Sequence, residues 1–465
     1  MKNNASRLPD DFELTAELEN AFSIVEGTNV SVFITGKAGS GKSTFIDYFR
    51  ENTKKNAVYL APTGVAALNI RGKTIHSMFQ FPPKVISKDE IYKNKYNKEI
   101  RDLFKNIDTV FIDEISMTRA DIIDGIDYIL KTHRHNSDPF GGAQIVFTGD
   151  LYQLPPVISD REKVAVTFNG EPFYEGTLKG YFEKVYRSQY FFDSRAFKNA
   201  AFQFIEFKNI FRQRGDAEFL VMLNEIRENN IGSTTLSRLN KQYISDYAAS
   251  KDEPRITLCT TNARAKEIND RFLSELETPM FIYKAELSGE FENDYSDREY
   301  PADAKLYLKV NSQVMMIKND RDRIWVNGSM GIVKSLKKNA VVIHIDGKDR
   351  TIEQETWETV EYEYNEEDKS VNTIVTGVFR QYPVKLAWAI TIHKSQGKTF
   401  DNVIIDLESG AFAHGQTYVA LSHCKTLEGI ILNKPIKRQD IILDPKVSSF
   451  FRKMNAGSTN NEKII

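Results

Sequence analysis

The sequence predicts an α/β protein with two parallel-sheet domains, the second carrying a small β-barrel insertion, and three observations lead there. Short apolar runs of β-type residues alternate with helical segments through the first third of the chain. A glycine-rich turn follows the first run. A second alternation opens near Phe204, breaks off for a β-rich tract at 283–381 and resumes at Leu386. Apolar runs of this length are what strands covered by helices on both faces require.

Val32-Phe33-Ile34 reads as the first strand, and Gly36-Lys37-Ala38-Gly39-Ser40-Gly41-Lys42-Ser43 turns from it into a helix over 44–50. The spacing G-x-x-x-x-G-K-S between a strand and a helix is that of a P-loop. Its glycines let backbone N–H groups converge on phosphate oxygens, at the positive end of the helix dipole. Lys42 supplies a point charge for the β- and γ-phosphates, and the Ser43 hydroxyl can ligate Mg²⁺. Gly36, Gly39, Ser40, Gly41, Lys42, Ser43 and Thr44 are therefore the nucleotide-binding candidates, and the chain is read as binding a nucleoside triphosphate.

Residues 58–60, 109–112 and 144–147 look like further parallel strands. Asp113-Glu114 stand at the end of the second of these, where a parallel strand delivers side chains to the nucleotide edge. Asp113 suits a Mg²⁺ role, and Glu114 can orient and deprotonate an attacking water. Gln153, within Gly149-Asp150-Leu151-Tyr152-Gln153-Leu154-Pro155-Pro156-Val157, both donates and accepts hydrogen bonds, which suits sensing of the γ-phosphate. Residues 79–98, with Phe81-Pro82-Pro83 and several lysines, read as a small protruding insertion; 158–187 read as a loop-like connector.

In the second half, 256–259 reads as a strand and 263–276 as a helix. Hairpin chemistry at Asn327-Gly328 and Asp346-Gly347 marks the β-rich insertion. Residues 403–405 are a later strand, and the polar stretch from 453 to 465 reads as a disordered tail. The domain expectation is 1–195, 196–282 with 382–452, and 283–381 inserted.

Composition narrows the setting. Hydrophobic residues at 41% and charged ones at 27% are ordinary for a globular chain, and no apolar run nears the ~20 residues that span a bilayer. Met1-Lys2-Asn3-Asn4 begins no signal sequence, and Cys259 and Cys424 read as buried reduced thiols, so a cytoplasmic setting is expected. The formal net charge of −2 gives no overall attraction to a polyanion, yet residues 353–368 hold eight carboxylates and no lysine or arginine. Without that segment the chain is net positive, so any polyanion groove must be local.

Taken in order, the motifs are recognisable. The P-loop, Asp-Glu-Ile-Ser-Met at 113–117, the 149–157 segment, Thr391-Ile392-His393-Lys394-Ser395-Gln396-Gly397 and Gly415-Gln416-Thr417-Tyr418-Val419-Ala420-Leu421-Ser422 resemble superfamily-one DNA helicases of the Pif and RecD type. Ala61-Pro62-Thr63-Gly64-Val65-Ala66-Ala67, Gly72-Lys73-Thr74-Ile75-His76-Ser77, Pro139-Phe140-Gly141-Gly142 and Phe211-Arg212-Gln213 resemble the Pif branch. The resemblance spans about residues 11–435. It implies two RecA-like domains with an SH3-like insertion, ATP and Mg²⁺ as cofactors, and 5′→3′ movement on single-stranded DNA. Partners implied are single-stranded and tailed duplex DNA, without a membrane, and a monomer on the strand.

By the same resemblance Lys42, Asp113, Glu114, Gln153 and the finger Arg212 are catalytic, with Ser43 and Asp113 on the metal. Gly397 and His423 would border the nucleotide. Thr63, Thr74 and His76 would line the strand-binding face of the first domain, and Asn262, Thr391, His393 and Lys394 that of the second. Helix capping is the competing role for each threonine, and a satisfied core position for each histidine. Phe81 or Phe140 could stack on a base, lysines within 305–318 could touch DNA, and the acidic 353–368 face should turn away from it. Two departures stand out. The family's adenine-reading glutamine is missing near Leu18, leaving Phe12 or Leu14 to pack the base. His423 stands where a second arginine finger is expected, and neutral imidazole does not replace a permanent forked cation. The alternatives are a translocase or nucleotide-switched clamp that unwinds little alone, and a small-molecule P-loop kinase, which leaves the second α/β half without a purpose.

Overall fold

The computed structural model describes residues 8, 12–37, 39–82, 84–87, 91, 96–158, 162–168, 171–209, 216–245, 255–292, 300–320, 324–325, 327–396 and 398–458. Two parallel sheets organise it, those of two RecA-like domains. The first runs Lys73–Thr74, Ala57–Ala61, Thr109–Ile112, Gln144–Gly149, Ser31–Gly36, Phe202–Phe207. Strand Ser31–Gly36, next to the edge, pairs in register on both sides, Val32 with Val146 and with Gln203. Helix Lys42–Asn52 follows it and buries Phe45, Ile46 and Phe49 against the sheet. Helix Ala120–Arg134 covers the other face through Ile122, Ile123, Ile126, Ile129 and Leu130. The second sheet runs Ala389–Thr391, Ile256–Cys259, Val403–Asp406, Ile430–Leu432, also parallel.

Between Phe281 and Leu386 the strands are antiparallel. Five of them, from Lys348–Ile352 to Val384–Leu386, curl around Leu306, Val314, Met316, Val333 and Ile343, forming the SH3-like insertion. A long hairpin, Glu355–Asn365 with Ser370–Gln381, leaves this core and reaches the first domain. There the Tyr362 hydroxyl accepts from the Tyr59 N–H at 3.2 Å and lies 3.3 Å from the Tyr59 carbonyl. Lys73 pairs with Glu361 at 2.8 Å, Lys98 with Glu366 at 3.0 Å, and Asn56 donates to the Lys369 carbonyl at 3.1 Å. Strand Lys73–Thr74 pairs only with Leu60 and Ala61, so the tyrosine hydroxyl closes the edge that a longer strand would have covered.

Several expectations change. Strand Phe202–Phe207 belongs to the first sheet, so the first domain continues past 195. Its buried Phe202, Ile205 and Phe207 face cores already assembled by that domain. The 79–98 segment does not protrude where it is described: Phe79, Phe81, Val85, Ile86 and Ile91 are buried, because apolar side chains outweigh the prolyl break. Residues 83, 88–90 and 92–95 lie outside the described residues. The 158–187 connector contains a hairpin, Lys163–Phe168 with Glu171–Thr177, and helix Leu178–Val185 capped by Thr177. Helix Pro445–Ser458 runs into the expected tail and packs back on the first domain, Phe450 on Phe192 at 4.5 Å and Phe451 on Tyr152 at 4.9 Å. The rest of the tail, 459–465, lies outside the described residues.

Candidate nucleotide and nucleic-acid site

The P-loop leaves strand Ser31–Gly36 and enters its helix at Gly41, whose φ of 87° is left-handed backbone that a side chain would strain. Ala38 lies outside the described residues; Gly36, Gly39, Ser40, Gly41 and Thr44 surround the turn. The Lys42 ammonium folds back onto the loop, donating to the Gly36 carbonyl at 2.8 Å and the Lys37 carbonyl at 3.0 Å. Burial lowers its pKa, and the carboxylates of Asp150, Glu114 and Asp113, in that order, pull it back up. Phosphate oxygens would replace those carbonyls and remove the penalty.

Asp113 and Glu114 emerge at the end of Thr109–Ile112 as expected. Asp113 is buried, and Thr148 donates its hydroxyl to Oδ1 at 2.6 Å. Burial raises the Asp113 pKa against that hydrogen bond. The Asp113 carboxylate and the Ser43 hydroxyl border the same cleft, oxygen donors of the kind a hard cation takes. Glu114 has φ 51°, a left-handed backbone that costs a non-glycine residue about 1 kcal/mol or more and aims it at the cleft. Gln153 accepts a hydrogen bond on Oε1 from Gln396 Nε2 at 3.3 Å, a contact between the two domains.

Ser43, Asp113 and Glu114 border a channel of about 3020 Å³ that passes between both domains and the β insertion. Five of the seven strand-binding candidates line it: Thr63, Asn262, Thr391, His393 and Lys394. Each threonine also caps. Thr63 accepts from Ala66 N–H at 3.2 Å, Thr74 from Ser77 N–H at 3.2 Å and Thr391 from Lys394 N–H at 3.3 Å. Burial lowers the pKa of His393 and of His76, keeping each imidazole neutral near pH 7.

Thr74 and His76 are not brought to this channel. Thr74 starts helix Ile75–Phe79, and the His76 ring packs edge-on against Phe81. Phe81 and Phe140 are core residues, Phe140 against Phe202, and neither offers a face to a base. His423 sits inside the second domain. It is buried, with Nδ1 2.8 Å from the Lys398 carbonyl and its ring against Phe400, because the second domain folds 398–400 over it. Arg212 and Gly397 lie outside the described residues. At the missing glutamine's place Leu18 is core, while Phe12 stacks on Tyr48 of the P-loop helix at 5.4 Å. The acidic hairpin also departs from expectation: Glu355 and Glu358 face the channel rather than turning from it, and Lys318 is spent on Glu355 at 2.9 Å.

Sequence reasoning missed Lys398, His414, Tyr418 and Arg227. Lys398 is buried beside Asn327 Oδ1 at 3.3 Å and lines the channel, and burial takes its pKa down to about 7. Arg227 stands on the face of its helix that carries Phe219, Met222, Leu223 and Ile226, all buried. An arginine in that apolar row was the available signal.

Comparison with known proteins places these features. The model of the family described as PIF1-like helicase matches residues 13–175. The ATP-dependent DNA helicase Pif1 of Campylobacter jejuni is 30% identical, over 84% of this chain and 86% of its own length. Bacteroides Pif1 in complex with ADP-AlF4 is 35% identical over 96% of this chain and 98% of its own, with a TM-score of 0.84. Bacteroides Pif1 bound to ssDNA is 36% identical over the same shares, with a TM-score of 0.66. With similarity through nearly its whole length, the chain belongs to the PIF1-like helicase family.

Proposed function

We propose a division of labour for this ATP-dependent DNA helicase, which moves 5′→3′ along single-stranded DNA and opens duplex ahead of it. Lys42 meets the β- and γ-phosphates. Ser43 and Asp113 would hold Mg²⁺, which neutralises charge on the phosphate oxygens. Glu114 orients and deprotonates the attacking water, and Gln153 responds to the γ-phosphate. Arg212 reaches the same phosphate from the second domain as a permanent forked cation. Thr63 and Asn262, Thr391, His393 and Lys394 hold the strand's backbone from the two domains, without reading bases. ATP draws the domains together and hydrolysis lets them part, so the two grips advance alternately. The enzyme works as a monomer on a 5′ tail, within the cytoplasm.

One observation carries this reading. Gln396, which contacts Gln153, lies on the same turn as Thr391, His393 and Lys394. The phosphate sensor and the strand grip are thus joined by one hydrogen bond and a few residues of backbone. The test is Glu114→Gln on a 5′-tailed duplex. ATP binding should persist while single-strand-stimulated hydrolysis and unwinding fall by about a thousandfold, the scale of a lost phosphoryl-transfer group; a variant that still unwinds removes Glu114 from the chemistry.

A further inference from the structure

The turn that bears Gln153 starts in the first domain but is held from the second. Asp150 is fully buried, and its Oδ1 accepts from Arg227 Nη2 at 3.1 Å and from the Tyr152 N–H at 3.1 Å. The Tyr418 hydroxyl donates to Oδ2 at 3.4 Å. The Arg227 guanidinium carbon sits 3.9 Å above the Tyr152 ring. His414 accepts from the Asp444 N–H on Nδ1, which leaves Nε2 protonated to donate to the Leu151 carbonyl at 2.8 Å. At Gly415 a β-carbon would lie 2.4 Å from the Tyr152 carbonyl, so only glycine admits the approach. Arg227 and Tyr418 stand on helices of the second domain, and His414 and Gly415 lead into the latter helix.

A buried ion pair adds little net stability over apolar residues of the same shape, but it is directional and costly to misalign. This one lies within electrostatic reach of the P-loop: Arg227 acts on Lys37, and Asp150 leads the carboxylates acting on Lys42. We propose that Arg227 is a positioning residue for hydrolysis, its ion pair with Asp150 tying the 150–153 turn to the second domain so that strand engagement there sets where Gln153 meets the γ-phosphate. The inference rests on Gln153 acting as the phosphate sensor.

The experiment compares Arg227→Met, Asp150→Asn and the double variant in the full chain, measuring Tm and the steady-state ATPase with saturating oligothymidylate. Each single variant strands one charge and should lower Tm; the double variant strands neither and should regain it. In all three, kcat should stay down by about tenfold with KM for ATP within about twofold, the pattern of an interaction made in the transition state. A wild-type kcat in the double variant alongside its recovered Tm overturns the proposal, since the pair would then be only a strut. A loss confined to KM overturns it as well. Gln153→Ala, run in parallel, keeps the two readings apart. A wild-type kcat there removes the sensor itself, whereas a low kcat there with a recovered double variant removes only the role of Arg227.

Discussion

Asp113 shows how a single residue trades stability for chemistry. Burial raises its pKa, so the folded state holds a proton that the unfolded chain has already lost once pH exceeds the ordinary carboxylate value. Its contribution to stability is present in acid and lost as pH rises through the folded value. Asp113→Asn should therefore raise Tm of the nucleotide-free protein at pH 7 while abolishing ATPase; an unchanged or lower Tm would contradict the burial argument. Lys398 carries the opposite sign. Its pKa falls from 10.5 to about 7, so between those values the unfolded chain binds a proton the folded one does not. Stability should climb with pH across that window, by at most about 1.4 kcal/mol per unit. Lys398→Met should flatten the climb in a pH series of denaturation curves. The phosphate-handling residues were legible because a P-loop and a strand-end acid pair occupy fixed spacings. Lys398 was not, since a lysine among polar residues reads as a surface position until the fold buries it, and Arg227 left only the weaker signal of an arginine in an apolar helix row.

At the scale of elements, the acidic hairpin is the departure with consequences. Its eight carboxylates read as a face turned away from DNA, and the lysines that pair with two of them, Lys73 and Lys98, are hundreds of residues away in sequence. The two ion pairs are at least partly exposed, so solvent screening leaves them little weight in docking. Tyr362 does more, because its buried hydroxyl serves both the N–H and the carbonyl of Tyr59 at an open sheet edge. Tyr362→Phe should weaken docking by about 1–3 kcal/mol. Hydrogen exchange of 57–61 should quicken while that of the insertion's own core, around Val333 and Ile343, stays as it was. Equal exchange at 57–61 would mean that the hairpin rests there without closing the edge.

Across the whole molecule, the alternation of strands and helices revealed two parallel sheets with an antiparallel insertion. It did not reveal where one domain hands over to the next. Phe202–Phe207 is an edge strand whose partner, Ser31–Gly36, is remote in sequence, and the end of Pro445–Ser458 is polar enough to pass for a tail. Both tie parts of the chain beyond residue 195 to the first domain, and the second meets it at a seam of Gln396, Arg227 and Tyr418 against the 150–153 turn. Among the described residues no helix is long and apolar enough to cross a membrane. The central claim is that phosphate cleavage at one end of that seam drives strand movement at the other. Stopped-flow unwinding under single-turnover conditions, with matched duplexes carrying a 5′ or a 3′ single-stranded tail, tests it most directly. Rapid ATP-dependent opening of the 5′-tailed duplex alone is expected; hydrolysis stimulated by the strand with neither duplex opened, or with only the 3′-tailed one opened, would contradict it.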